Sequence, residues 1–217
     1  QPESLTRTRI EPLTTIEADA LNSPITAPSI ADVAISYNLF GAIVNGAQRT
    51  QAPIRGVSAN YVNVVNWPVR FGTAITPEQN AASGRVAVLG LDVVEALFGG
   101  REVNPVGQSV RINQRSFAVV GVLEERDSFI TSENNIVLIP VSTAQTRLDN
   151  ARSRDGGFRV SRIHIQVQSE DLIDRARQEI TAYLDQAHDV VFSDERDYAI
   201  EVDTGLLDIV SEISGLL

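Results

Sequence analysis

An α+β fold interrupted by an insertion is what three features of the sequence predict. "RIHIQVQ" (162–168) alternates apolar and polar residues, with Ile163, Ile165 and Val167 on one face of a strand. "EDLIDRARQEITAYLDQA" (170–187) carries its apolar residues at helical spacing, giving a core face of Leu172, Ile173, Ala176, Ile180, Tyr183 and Leu184. "ARSRDGGF" (151–158) is charged, holds paired glycines and has no apolar period, so it reads as a linker. Long regular elements follow it, whereas shorter ones fill the middle of the chain. The outer parts form one unit and residues from about Gly56 to Asp149 are inserted into it.

Composition narrows the chemistry. The 217 residues with 43 % apolar content are enough for a real core, and the net charge of −10 argues against a nucleic-acid partner. Cys is absent, which leaves no disulfide and no thiolate metal ligand. Lys is absent too, so Schiff-base chemistry and a phosphate-loop lysine are ruled out. Without a Met, the chain is expected to be a processed or excised part of something longer. No apolar run reaches the ~20 residues of a membrane span.

The elements are predicted in order. "IEPLTTIEADALN" gives a helix with Ile10, Leu13, Ile16, Ala20 and Leu21 on one face and Thr14 or Thr15 as N-cap; Pro24 and Pro28 end it. "IADVAISYN", "AIVNGAQ" and "QAPIRGV" read as strands, the last two joined by a turn over Gln48 to Gln51. "SANYVNVVNW" is a short helix stopped by Pro68. In "TPEQNAAS", Thr76, Pro77 and Gln79 occupy the cap, first-turn and capping-box positions of another. Val86 to Leu97 is strand then helix, and "SVRINQRSFAVVGVL" is a hairpin turning at Asn113 and Gln114. "NIVLIP" is a buried strand, "STAQTRLD" a helix capped by Ser142, and "RDYAIEV" a further strand. The last stretch, "GLLDIVSEISGLL", repeats Leu206, Leu207, Ile209, Val210, Ile213, Leu216 and Leu217 at spacings of three and four, which predicts a helix. Either it packs on its own domain or it runs on into a membrane span.

Candidate sites are few. Gly90 between strand and helix suggests a dinucleotide loop, yet Leu91, Asp92 and Val93 follow it where further glycines are needed, and Asp92 already meets the helix dipole. His164 is expected on a polar face with Arg162 and Gln166, and His188 at the exposed end of a helix. Asp189, Asp194, Glu195 and Asp197 form an acidic turn without the spacing of a calcium loop. No Gly-x-Ser-x-Gly elbow exists. The expectation is no catalytic residue, no metal site and no cofactor. Arg152, Arg154, Arg159 and Arg162 either receive an acidic partner surface or balance nearby carboxylates. Trp67, Val69 and Phe71 in "NWPVRFG" are either core or a partner contact.

The order of these stretches carries more than any one of them. Gly56, Val57 and Tyr61; Leu89 and Gly90; Leu97, Phe98 and Gly99; Asn104 to Gly107; Val119 to Val122; and Ile139 with Pro140 together resemble the periplasmic core domain of MacB-type ABC transporter permeases. The resemblance covers essentially the whole chain, most specifically residues 56 to 148. It departs at Gly72 and Thr73, where a Gly-Arg pair is common in the family. It implies a Porter-like subdomain over residues 1–55 and 150–205, an inserted Sabre-like subdomain over 56–149, and a membrane-proximal stalk helix over 206–217. It further implies an extracytoplasmic, non-catalytic domain that transmits ATP-driven motion. The implied partners are a second copy of the permease, a cytoplasmic ATPase domain or subunit, an adaptor protein, and the membrane through flanking spans. Leu206, Ile209, Val210, Ile213 and Leu217 would then be the coupling face. The alternative from another class is a soluble ligand-binding or enzymatic domain with its site in the cleft between the two parts.

Overall fold

The computed structural model describes residues 11–126, 133–203 and 206–211. Its strands are β1 (Ile30–Asn45), β2 (Gln48–Val57), β3 (Val69–Gly72), β4 (Val86–Leu89), β5 (Ser109–Ile112), β6 (Arg115–Leu123), β7 (Val137–Pro140), β8 (Arg162–Val167), β9 (Tyr198–Asp203) and β10 (Leu206–Ser211). The helices are α1 (Thr15–Leu21), α2 (Tyr61–Val64), α3 (Pro77–Ala81), α4 (Leu91–Phe98), α5 (Val141–Thr143) and α6 (Ile173–Ala187). The α+β class is as the sequence predicts.

β1 joins everything. Its first part, Ile30 to Ser36, pairs antiparallel with β8, and Ser36 to Asn45 pairs with β2. Ile43 and Val44 also pair with β5. From β2 the ladder passes to β7, then β4, β6 and β5, and so back to β1. Six strands thus close into a ring, with β3 attached outside on β6. Closure leaves the interior to side chains. Ile43, Ile54, Leu89, Ile112, Phe117 and Ile139 belong to its core together with Val93, Val94 and Leu97 of α4. On the other side of β1 the order β1-β8-β10-β9 makes a four-stranded antiparallel sheet. Leu21 of α1 and Ala176, Ile180 and Leu184 of α6 pack with Ile163, Ile165, Leu207 and Ile209 of that sheet. A third cluster gathers Tyr61, Val64 and Trp67 against Ala34, Val88 and Leu138. The expected boundary between residues 55 and 56 falls inside β2, whose Ile54 to Val57 pair with β7.

Several local expectations need correction. The last stretch is not a helix where it is described: Leu206 to Ser211 form β10, paired with β8 on one side and β9 on the other. Leu207 and Ile209 are fully buried and alternate with Leu206, Asp208 and Val210, so the operative period is two. Four apolar residues at 206, 207, 209 and 210 satisfy both periods, and the two open ladders beside them decide for the strand. Ile213, Leu216 and Leu217 lie outside the described residues. The hairpin turn sits at Gly46 and Ala47, not at Gln48 to Gln51, because Gly46 takes φ +57° and so permits a tight turn between paired Asn45 and Gln48. Ser142 is inside the first turn of α5 rather than capping it, with Pro140 before the helix and a π-helical turn, Ala144–Leu148, after it. The Thr76–Gln79 capping box and the positive-φ turn at Asn113 and Gln114 are present as predicted.

Candidate functional site: a buried clasp and an arginine-lined cleft

Neither histidine is on the surface. The face of β8 opposite Ile163 and Ile165 is covered by α2, so His164 lies edge-on to Tyr61, 5.1 Å between ring centroids. Its Nδ1 is 2.8 Å from Asp208 Oδ1 on β10, and its Nε2 is 2.9 Å from Ser36 Oγ on β1. Asp208 also accepts from Arg162 at 3.0 Å. Burial pushes the Asp208 carboxyl up, but the His164 hydrogen bond and charge and the Arg162 charge outweigh it and hold the group below the usual aspartate value. The order Ser–His–Asp is that of a hydrolase relay. Here Ser36 is 1 % exposed and stands mid-strand under α2, with no approach for an acyl group. The chain of bonds pins three neighbouring strands in register.

The His188 side chain is 1 % exposed and is held from both ends. Its Nδ1 donates to Asp197 Oδ1 at 2.7 Å and its Nε2 lies 3.3 Å from Glu17 Oε1 on α1. The Glu17 hydrogen bond, against the opposing effect of burial and with the Asp197 carboxylate adding to it, raises the imidazole pKa to about 9. Glu17 Oε2 also accepts from the Thr14 N–H at 2.5 Å, which secures the start of α1. Asp197 Oδ2 accepts from the Glu11 N–H at 2.7 Å, and the next residue, Tyr198, pairs with Ser211 at the end of β10. Glu11 and Ser211 are therefore tied to two adjacent residues, Asp197 and Tyr198. What looked like a solvated acidic turn at 188–197 folds back onto α1, a long-range closure that no local pattern announces.

Beside this clasp is a cleft of about 560 Å³. One wall is the start of α1, with Glu11, Thr14 and Glu17; the other is the 152–159 loop, with Arg152, Arg154, Asp155 and Arg159. The expected linker is thus a built loop. It is tied down by the bridges Arg152↔Phe158 and Thr14↔Arg159 and by Gly157, where a Cβ would stand 3.0 Å from Ile16. Arg162 faces away, toward Asp208 and Glu201. The cleft lies wholly within the outer part of the chain. Trp67 is 2 % exposed; its indole N–H donates to the Glu124 carbonyl at 2.8 Å and Arg126 stacks on its ring. It is core, because "NWP" turns inward under β4 and β7, while Val69 and Phe71 on β3 are half-buried.

A family model described as the MacB-like periplasmic core domain matches residues 1–183. The chain belongs to that family. Curated relatives agree. The macrolide export ATP-binding/permease protein MacB of Azoarcus sp. (strain BH72) is 32 % identical over 162 residues, 74 % of this chain and 23 % of the relative. The protein of the same name from Rhodospirillum rubrum is 31 % identical over 166 residues, 76 % of this chain and 24 % of its own. The pyoverdine export ATP-binding/permease protein PvdT of Pseudomonas aeruginosa is 35 % identical over 104 residues, 47 % of this chain and 15 % of that protein. The MacB-like domain spans about a quarter of the length of the two MacB relatives. Two solved structures share the fold at 20 % identity. The periplasmic region of MacB from Actinobacillus actinomycetemcomitans has TM-score 0.67 over 97 % of this chain and 85 % of that one. The extracellular domain of the transporter YknZ from Gram-positive bacteria has TM-score 0.66 over 82 % and 85 %. This MacB-like domain is extracytoplasmic. No helix among the described residues is long and apolar enough to cross a membrane.

Proposed function

We propose that the domain is the non-catalytic, motion-transmitting part of an ABC transporter permease. The observation that carries this reading is the junction in which His188 is held between Glu17 on α1 and Asp197 before β9, with the Glu11 N–H also on Asp197 and Ser211 of β10 paired with Tyr198. A buried, ion-paired junction that joins α1, the end of α6 and the start of β9 passes displacement on rather than absorbing it. The partners would be a second permease copy and a cytoplasmic ATPase domain or subunit, with an adaptor protein contacted on the outside. In this reading the Porter-like part is the four-stranded sheet with α1 and α6, and the Sabre-like part is the ring. Their separate apolar clusters support that division. The coupling element is then a strand: Leu206, Ile209 and Val210 act through β10. Val69 and Phe71 on the outer strand β3 are a partner contact.

The full-length transporter reconstituted with its ATPase tests this. With a macrolide as first cargo, the substrate in the relatives' name, His188→Gln should leave basal ATP hydrolysis near wild type and reduce export several-fold. Unchanged export by a variant that folds would overturn the role of this junction.

A further inference from the structure

The turn between β1 and β2 brings a reactive dipeptide to the seam of the ring. Asn45–Gly46 is the one Asn-Gly step in the chain; the other eleven asparagines are each followed by a residue with a side chain. Gly46 is exposed in a two-residue turn, since Asn45 pairs with Gln48, and it takes φ +57° without strain. Its amide nitrogen therefore stands outside the ladder. A Cβ on Gly46 would meet no atom within 4 Å beyond its chain neighbours, so nothing else crowds the approach of that nitrogen to the Asn45 side chain. Asn45 is half-buried. Its Nδ2 donates at 3.1 Å to the carbonyl of Leu97, in the last turn of α4, where carbonyls lack partners within the helix. The two residues before it, Ile43 and Val44, make the pairs with Ile112 and Arg111 that join β1 to β5 and close the ring.

We propose that Asn45 is a site of spontaneous deamidation and that the change weakens the ring at this seam. The Gly46 nitrogen gives its proton to hydroxide and attacks Asn45 Cγ. A bond forms between Cγ and that nitrogen, the Cγ–Nδ2 bond breaks, and Nδ2 leaves as ammonia after taking a proton from water. Water then opens the five-membered imide at either carbonyl, leaving aspartate or isoaspartate at position 45. One water is consumed and one ammonia released. The bond to Leu97 does not prevent this, because a single neutral hydrogen bond holds a rate back by no more than about tenfold. Aspartate loses the Nδ2 donor and sets a carboxylate against the negative end of the α4 dipole. Isoaspartate lengthens the main chain by a methylene, at a turn whose two-residue length sets the register of the whole hairpin.

The purified chain is incubated at mildly alkaline pH, folded and in urea, and its peptides are followed by tandem mass spectrometry that separates aspartate from isoaspartate. The expected result is that in the folded protein Asn45 converts to the acid before any other asparagine, with isoaspartate among the products. Gly46→Ala should slow the conversion at least ~10-fold, because a β-carbon crowds the attack and resists the turn conformation. That comparison is also made in urea, where it holds whether or not the variant folds. Asn45→Asp carries the new charge from the start, and its Tm should lie at least ~2 °C below wild type. Conversion of Asn45 in urea alone, earlier conversion elsewhere in the folded chain, or an undiminished rate in Gly46→Ala overturns the site. A wild-type Tm in Asn45→Asp overturns the weakening of the seam.

Discussion

His188 Nδ1 lies 2.7 Å from Asp197 Oδ1, with both side chains at most 4 % exposed, and the pair ties the end of α6 to the segment from which β9 departs. Glu17 on the other ring nitrogen makes it a three-part clasp between α1, α6 and the last hairpin. A buried imidazolium between two carboxylates is stabilising only while it carries its proton.

That gives the pH dependence its sign. The folded pKa is raised to about 9 from the ordinary histidine value of 6.5. The clasp's contribution is therefore complete below about pH 6.5, and it is lost as pH rises through about 9. Tm measured across that range should fall on the alkaline side in wild type. In His188→Gln the same limb should be flatter and the Tm lower at neutral pH. Parallel curves for the two proteins would mean that the clasp does not titrate.

The acid limb belongs partly to Asp208. Its pKa is depressed in the folded domain, so its stabilisation is present above the unfolded aspartate value and is lost as pH falls through the lower folded value. Asp208→Asn should cost about 1–3 kcal/mol at neutral pH, since it weakens bonds to both His164 and Arg162. It should also remove part of the Tm decline in acid. A neutral-pH Tm equal to wild type would contradict the register-pinning role of this network.

Gly90 is required by packing, not by a ligand. A Cβ there would stand 2.2 Å from the Asn134 carbonyl oxygen, and the Gly90 N–H already donates to Ile136 O at 2.8 Å. Gly90→Ala should destabilise by about 1–3 kcal/mol, which lowers Tm by roughly 2–4 °C per kcal/mol in a domain of this size. Chemical denaturation checks it directly. No loss of stability would show that the 133–136 segment can step back freely.

Trp67 is the only tryptophan, so its fluorescence reads one site. Its burial predicts blue-shifted emission that aqueous iodide quenches weakly. Trp67→Ala should cost about 3–5 kcal/mol, as for other buried large aromatics. Strong iodide quenching would restore the ring to the surface.

A second, independent check concerns β10. Leu207→Pro removes an N–H from a strand paired on both sides. It should abolish the cooperative transition, whereas Pro at position 206, the strand's first residue, should be milder.

The sequence by itself determined the α+β class, the amphipathic α6, the β5–β6 hairpin, the α3 capping box and the family order of motifs, because each rests on contacts within a few residues or on periodicity. Residues 206 to 210 mark where that stops. Their apolar pattern fits helix and strand alike, and only the free ladder edges of β8 and β9 choose between them. The burial of His164 depended on α2 covering the far face of β8, and that of His188 on residue 197 returning to α1. The closure of six strands through β1 depended on a pairing between residues 43–44 and 111–112. Those are contacts between positions far apart in the chain, whose energies arise only once the whole domain has folded, so no local run of residues encodes them.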